Sequence, residues 1–215
     1  MIDFWRDLDT GPNPPGEIYA VVETPKGNEN KYEYDVVKKA IVLDRVLYSA
    51  MHYPGDYGLI PRTVDEDGDP LDVLVLVTNP TFPGCVLKAR PIGLLRMLDG
   101  DVRDDKILSV PIEDARYAKV RDLTDVPEHI LNEIAHLFET YKVLEGKTTK
   151  ILGWSYLVFA LARVASIFEN TNISILLTIF VLAGLQTAIV DTVERAYASD
   201  LIAEPTLRGT GFGVV

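Results

Sequence analysis

The chain has 215 residues, 47% of them hydrophobic and 25% charged, with one cysteine and a formal net charge of −11 at pH 7. These proportions exclude a disordered chain, a collagen-like repeat and a disulfide-stapled secreted scaffold, and they allow one or two domains with a sizeable core. The acidity excludes a general nucleic-acid binder, which needs a surplus of Lys and Arg for phosphate contacts. Small anionic substrates stay open, because bound cations reverse the local sign.

Cys85 alone cannot close an internal disulfide, and the acidic start Met1–Gly11 carries no signal peptide, so a cytoplasmic setting is expected. In chain order, Ile18–Glu23, Lys31–Val36 and Ala40–Leu47 are strand-like, the second with period-two alternation. Breakers such as Thr24-Pro25-Lys26-Gly27-Asn28 separate them. Val73–Val77 is a continuous apolar run, short enough for a strand buried on both faces, and Val86–Leu95 and Ile107–Pro111 add two more strands. Many short strands with turn signals favour a small barrel over a sandwich.

One helix is expected. Ile130, Ile134, Leu137, Phe138, Tyr141 and Leu144 recur at helical spacing and form one apolar face. Asp125 is the expected N-cap, with Pro127 in the first turn and Glu128 completing the capping pattern, and Gly146 supplies the stop. The stripe should pack on the barrel and leave Lys142 beside Tyr141 near the helix end.

The composition then changes abruptly. After Gly153 there are only three basic residues (Arg163, Arg195, Arg208), five acidic ones and a single proline, Pro205. This places a boundary near Gly153–Trp154, dividing a domain over 1–154 from a hydrophobic helical tail over 155–215. Residues 170–190 carry no charge. A helix of about 20 residues at roughly 1.5 Å per residue crosses the ~30 Å hydrocarbon layer. The stretch therefore reads either as membrane-associating or as a helical hairpin packed on the barrel, and its length favours the first.

The densest chemistry lies in Asp65-Glu66-Asp67-Gly68-Asp69-Pro70-Leu71-Asp72, five carboxylates in eight residues. Such groups repel one another unless a cation holds them, and hard oxygen ligands suit Mg²⁺, Mn²⁺ or Ca²⁺. The bland reading is a solvated acidic turn. A calcium EF-hand is excluded, because Pro70 stands where that loop turns on glycine and its twelfth position is Leu76 rather than Glu. A second cluster, Asp99, Asp101, Asp104 and Asp105, is followed by Lys106. Two separated carboxylate loops are what a multi-metal site acting on a phosphoryl group requires. His129 and His136 lie seven apart and lack the four-residue spacing of a zinc pair, while His52, Trp5 and Trp154 read as packing residues.

Asp67-Gly68-Asp69-Pro70-Leu71-Asp72-Val73 resembles the signature of the soluble family I inorganic pyrophosphatases. The resemblance runs from about Gly16 to Trp154 through Lys31-Tyr32-Glu33, Asp44-Arg45, Tyr53-Pro54-Gly55-Asp56-Tyr57-Gly58, Gly84, Arg90-Pro91, Asp104-Asp105-Lys106 and His136–Lys142. It implies an α+β, mainly β fold, an oligonucleotide-binding-like five-stranded barrel with flanking helices. It also implies Mg²⁺ dependence, hydrolysis of inorganic diphosphate to two phosphates, and a homo-oligomer.

Carried onto matching positions, the resemblance assigns metal ions to Asp67, Asp72 and Asp104, with Asp99 and Glu23 serving further ions. Asp69 is implied as general base for the attacking water. Lys31, Arg45, Lys106, Tyr141 and Lys142 are implied as phosphate ligands, supported by Glu33, Tyr53 and Tyr57. Gly100 stands where the family often has a second acid, with Asp101 next to it. For each basic residue the plain competitor is a solvated surface charge.

The tail departs from the family. Asp191-Thr192-Val193-Glu194-Arg195-Ala196-Tyr197 and Leu207-Arg208-Gly209-Thr210-Gly211-Phe212-Gly213 resemble a loop between late helices of major-facilitator transporters. A single piece of a transporter has no partner half and no substrate path, so no transport is expected of it. A second expectation, from another class, is such a transporter remnant fused to a catalytically silent metal-binding domain.

Overall fold

The computed structural model describes residues 2–65 and 68–155. The apolar tail, the helical segments expected in it and the loop acids Glu66 and Asp67 lie outside the described residues.

Alternating and apolar runs form strands β1 (Ile18–Thr24), β2 (Asn30–Asp35), β3 (Ala40–Val46), β4 (Asp56–Leu59), β5 (Asp72–Val75), β6 (Val86–Asp99), β7 (Val102–Arg103), β8 (Lys106–Pro111) and β9 (Thr149–Ser155). Among the described residues there is one α-helix, α1 (Glu128–Thr140). Five strands close a ring. β1 pairs antiparallel with β4, β4 antiparallel with β5, β5 parallel with β8, β8 antiparallel with β6, and β6 antiparallel back to β1. The expected mainly β fold with a five-stranded closed sheet is thus present, and closure leaves no unpaired edge within the ring.

β6 is long enough to serve four partners, the shortest being β7 at its end. Its first residues pair with β1, its middle with β8, and Leu94–Asp99 with β9. The register shifts between Pro91 and Gly93, so the strand can bend as the ring closes. The expected end at Leu95 falls short because β9, which had no clear sequence signal, covers the extension. β9 runs through Trp154 to Ser155, across the compositional boundary.

The main core lies between the ring and α1. Leu74, Ile92, Leu95, Met97 and Leu108 meet Ile134, Leu137 and Phe138, all essentially removed from water. Burial of such side chains contributes about 1.5–3 kcal/mol each. The expected helical stripe is correct at those positions, but Leu144 is exposed. The helix ends at Thr140 and gives way to a 3-10 turn, Val143–Glu145, closed by Gly146 at φ 73°. Gly146 is therefore a stop, as expected, but of this short turn.

The start of α1 also corrects the sequence expectation. Its N-cap is Pro127, without a side-chain bond. Asp125 belongs instead to the preceding 3-10 turn, where it and Asp122 satisfy each other's backbone N–H groups. The two caps lie only a few residues apart, and the local turn captured the aspartate.

β2 and β3 form a hairpin of their own, paired to each other and to no strand of the ring, which they meet through bonds to the side chains of Thr24 and Glu23 of β1. The ring itself is tight. A Cβ built on Gly58 of β4 stands 1.9 Å from the Val21 carbonyl oxygen of β1. Gly58→Ala should therefore push β1 from β4 and lower stability by about 1–3 kcal/mol or more. Urea unfolding checks this, as a lower midpoint at unchanged slope.

Candidate active site

The parallel pair decides where chemistry can occur. Asp72 and Lys106 open β5 and β8 and are direct partners in register. Parallel strands bring their starting ends together, so the loop before β5 (residues 65–71) and the segment before β8 (residues 99–105) meet at one end of the ring. A cleft of about 420 Å³ opens there, with β2 as a further wall.

Eleven of the fourteen site residues expected from sequence line this cleft: Glu23, Lys31, Glu33, Tyr57, Asp69, Asp72, Asp99, Asp104, Lys106, Tyr141 and Lys142. Asp67 lies outside the described residues. Arg45 does not line the cleft but is the register partner of Lys31, and its guanidinium bonds Glu145 at 2.9 Å and Asp44. Tyr53 stacks on Tyr57 with ring centroids 5.1 Å apart, yet it lines a second, more apolar cavity of about 550 Å³ that His52 also borders. Asp101 is exposed, and Asp105 is turned inward, accepting from the Met97 amide and from Arg103.

Lys106 is the hub. It is 3% exposed, and its ammonium pairs with both Asp72 and Asp104. Burial opposes its charge, but the two carboxylates outweigh that and hold its pKa above the ordinary lysine value. Lys142 reaches Asp99 at 2.5 Å, and Lys31 pairs with Glu33 and stands 3.7 Å from Asp44. Burial pushes the Tyr57 and Tyr141 hydroxyls upward, so both remain proton donors at neutral pH.

Glu23 is the most perturbed acid. It projects from β1, is 8% exposed, and accepts the Tyr34 amide at 2.6 Å. Burial, reinforced by the charge of Asp72, raises its pKa to about 8. The described lining carries seven acids and only four bases. An excess of hard oxygen donors, with one acid held mostly protonated at neutral pH by burial and a neighbouring carboxylate, fits a divalent cation. Among the described residues, no three such groups stand together in ligating geometry, and the Lys106 ammonium pairs with both Asp72 and Asp104.

The cleft also holds residues the sequence reading passed over: Tyr34, Asp65 and Arg103. Asp65 lay in plain view as the first acid of the loop, whose backbone folds back through Asp65 N–H to Asp69 C=O at 2.7 Å. Arg103 was visible only as a lone cation before Asp104. Its place on the cleft comes from the two-residue strand β7, too short for any periodic signal.

A ring with two acidic loops and clustered cations at one end defines a site for a multiply charged anion. The description Pyrophosphatase: Inorganic pyrophosphatase matches residues 20–172, past the compositional boundary. The chain is 56% identical over 155 residues to the inorganic pyrophosphatase of Haloferax volcanii, covering 72% of this chain and 88% of the relative. Against the inorganic pyrophosphatase of Synechocystis it is 50% identical over 166 residues, covering 76% of this chain and 98% of that one. The crystal structure of the Thermus thermophilus inorganic pyrophosphatase superposes with a TM-score of 0.69 at 49% identity, covering 71% of this chain and 89% of that one. The chain belongs to the inorganic pyrophosphatase family.

Glu23 has a consequence for stability. Its carboxyl ionises near the ordinary glutamate value of 4.5 when unfolded and near 8 when folded. The native state therefore keeps a proton that the unfolded state has lost, and stability falls as pH rises from 4.5 to 8. In chelator-treated protein, Glu23→Gln should flatten this decline, measured as the change in unfolding midpoint between pH 5 and pH 8.

Proposed function

We propose that this cleft hydrolyses inorganic diphosphate to two phosphates, with Mg²⁺ as the required cation, in the cytoplasm. The chain is an enzyme of the diphosphatase class, as its family membership establishes. The observation that carries the site assignment is the meeting of both acidic loops around Lys106 at the parallel β5–β8 ends.

Asp67, Asp72 and Asp104 would hold the cations, with Asp99 and Glu23 contributing to further ones. Bound there, Mg²⁺ supplies Lewis acidity and lowers the pKa of water. Asp69, on the same cleft, accepts the proton of the attacking water. Lys31, Lys106 and Lys142 hold the phosphate oxygens and stabilise charge on the departing phosphate, the positioning role phosphoryl transfer chiefly demands. Arg45 extends this set from beside Lys31, its fork suited to a phosphate oxygen pair. The Tyr141 hydroxyl, kept protonated by burial, donates to phosphate. Glu33 orients Lys31, while Tyr57 and Tyr53 support the floor.

Residues 1–154 form the catalytic domain in this reading, 155–215 an apolar extension, and the working unit is a homo-oligomer. The transporter-remnant alternative has no supporting finding. The family match continues to residue 172, past the point where the remnant would begin.

Phosphate release from diphosphate tests the assignment. Chelation should abolish release and added Mg²⁺ should restore it; release unaffected by chelator would refute the cation requirement. Asp69→Asn should lower kcat by about 10²–10⁴-fold, the usual scale for a lost general base, with the fold unchanged by circular dichroism. Wild-type rates in that variant would remove Asp69 from its role.

A further inference from the structure

Two walls of the cleft are not part of the ring's strand ladder. The β2–β3 hairpin, which presents Lys31 and Glu33, shares no strand pairing with it. The acidic loop before β5, which presents Asp65 and Asp69, is a turn-rich connection. One short stretch of chain, Asp3–Arg6, touches the hairpin and the Arg62–Thr63 segment that leads into the loop, and it precedes the residues matched to the family.

Its hold on the hairpin centres on Asp3, a carboxylate 2% exposed although it lies outside the cleft lining. Asp3 accepts the Tyr34 hydroxyl of β2 at 3.1 Å and stands 3.4 Å from the Lys39 ammonium at the hairpin turn. It also accepts the Trp5 and Arg6 amides, each at 3.2 Å, so its own segment is folded around it. These bonds outweigh the cost of burial and keep Asp3 below the usual carboxylate pKa. Phe4 packs edge-on against Tyr34, with ring centroids 5.6 Å apart. Tyr34 in turn gives its amide to Glu23 in the cleft.

The hold on the loop runs through Trp5 and Arg6. The Trp5 indole N–H donates to the Thr63 carbonyl at 2.7 Å, and the Trp5 carbonyl accepts the Arg62 amide at 2.8 Å. Thr63 Oγ1 accepts the Leu71 amide at 2.9 Å, tying together the two ends of the acidic loop. Arg62 Nε reaches the Arg6 carbonyl at 3.3 Å.

We propose that Asp3–Arg6 is a positioning strut that sets the spacing between the β2–β3 hairpin and the acidic loop, with Asp3 and Trp5 as its two fastening points. This rests on the diphosphatase reading of the cleft. Neither residue touches substrate. Each acts by fixing a wall, Asp3 the phosphate-binding lysine side and Trp5 the carboxylate side.

The test uses the full chain with Asp3→Ala, Asp3→Asn and Trp5→Phe, the last keeping an aromatic ring but losing the indole donor. Asp3→Ala should raise KM for diphosphate about fivefold with kcat within twofold. Asp3→Asn, which keeps an acceptor for Tyr34, should recover most of that loss. Trp5→Phe should raise the Mg²⁺ concentration giving half-maximal rate by about threefold. Amide exchange should accelerate at least tenfold at Tyr34 in Asp3→Ala and at Leu71 in Trp5→Phe, with the ring strands unchanged. Unchanged KM and Mg²⁺ requirement alongside a lower melting temperature would overturn the proposal, leaving a purely structural role. Uniform acceleration of exchange across the ring would do the same. A wild-type chain that releases no phosphate would sink the diphosphatase reading instead, and the exchange pattern would still decide whether the strut exists.

Discussion

Repulsion among carboxylates is the constraint around which this protein is arranged. Asp72 and Asp104 approach the same point at the end of the barrel, and the buried Lys106 ammonium lies between them. Without a positive charge there, two acids in a half-desolvated site would disfavour the fold itself. The strain shows in Glu23, which keeps its proton to about pH 8 because Asp72 adds to the cost of its burial. A binding site for an anion built mostly of acids works only with cations. The lysines supply part of that charge and divalent ions suit the remainder.

Rigidity is unevenly distributed around this site. Asp72 and Lys106 stand on ring strands locked by pairing on both sides, Glu23 stands at the register shift of β1, and Gly58 shows how closely the ring strands approach. Lys31 and Glu33 stand on a hairpin outside the ring, held by side-chain ties: Thr24 to Tyr32, Glu23 to Tyr34, Arg45 to Glu145, and Asp3 to Tyr34 and Lys39. Groups fixed by the ring suit cation binding, which tolerates little displacement, while a wall held by separable ties can adjust to substrate entry and product release.

Legibility differed by the range of the signal. β1, β2, β3, β5 and β8 were readable within a residue or two, since alternation or a short apolar run between breakers is a local property. β4 and β7 were missed because four and two residues carry no period, and β9 because its glycine and polar start blur its pattern. Asp125 shows the same limit at a helix start, where two adjacent turns compete for one acid. At the site, the motif residues were found because acids and lysines at fixed spacing stand out. Arg103 and Tyr34 were not: their strand partners, Leu98 and Ile41, lie close in sequence, but which of their side chains reaches the cleft depends on where the rest of the chain folds.

By itself the sequence determined the inventory: the two carboxylate loops, the basic set that follows them, the mainly β character and the compositional break after Gly153. Local spacing and residue chemistry suffice for these. Only the tertiary structure decided that β5 and β8 run parallel, so that residues more than thirty positions apart, Asp72 and Lys106, share one register and their preceding loops share one cleft. It alone decided that Arg45 and Tyr53 stand beside the cleft rather than on its lining. It alone put Asp3 beneath the hairpin, because burial and pairing depend on which distant segments meet, and no local pattern encodes that meeting.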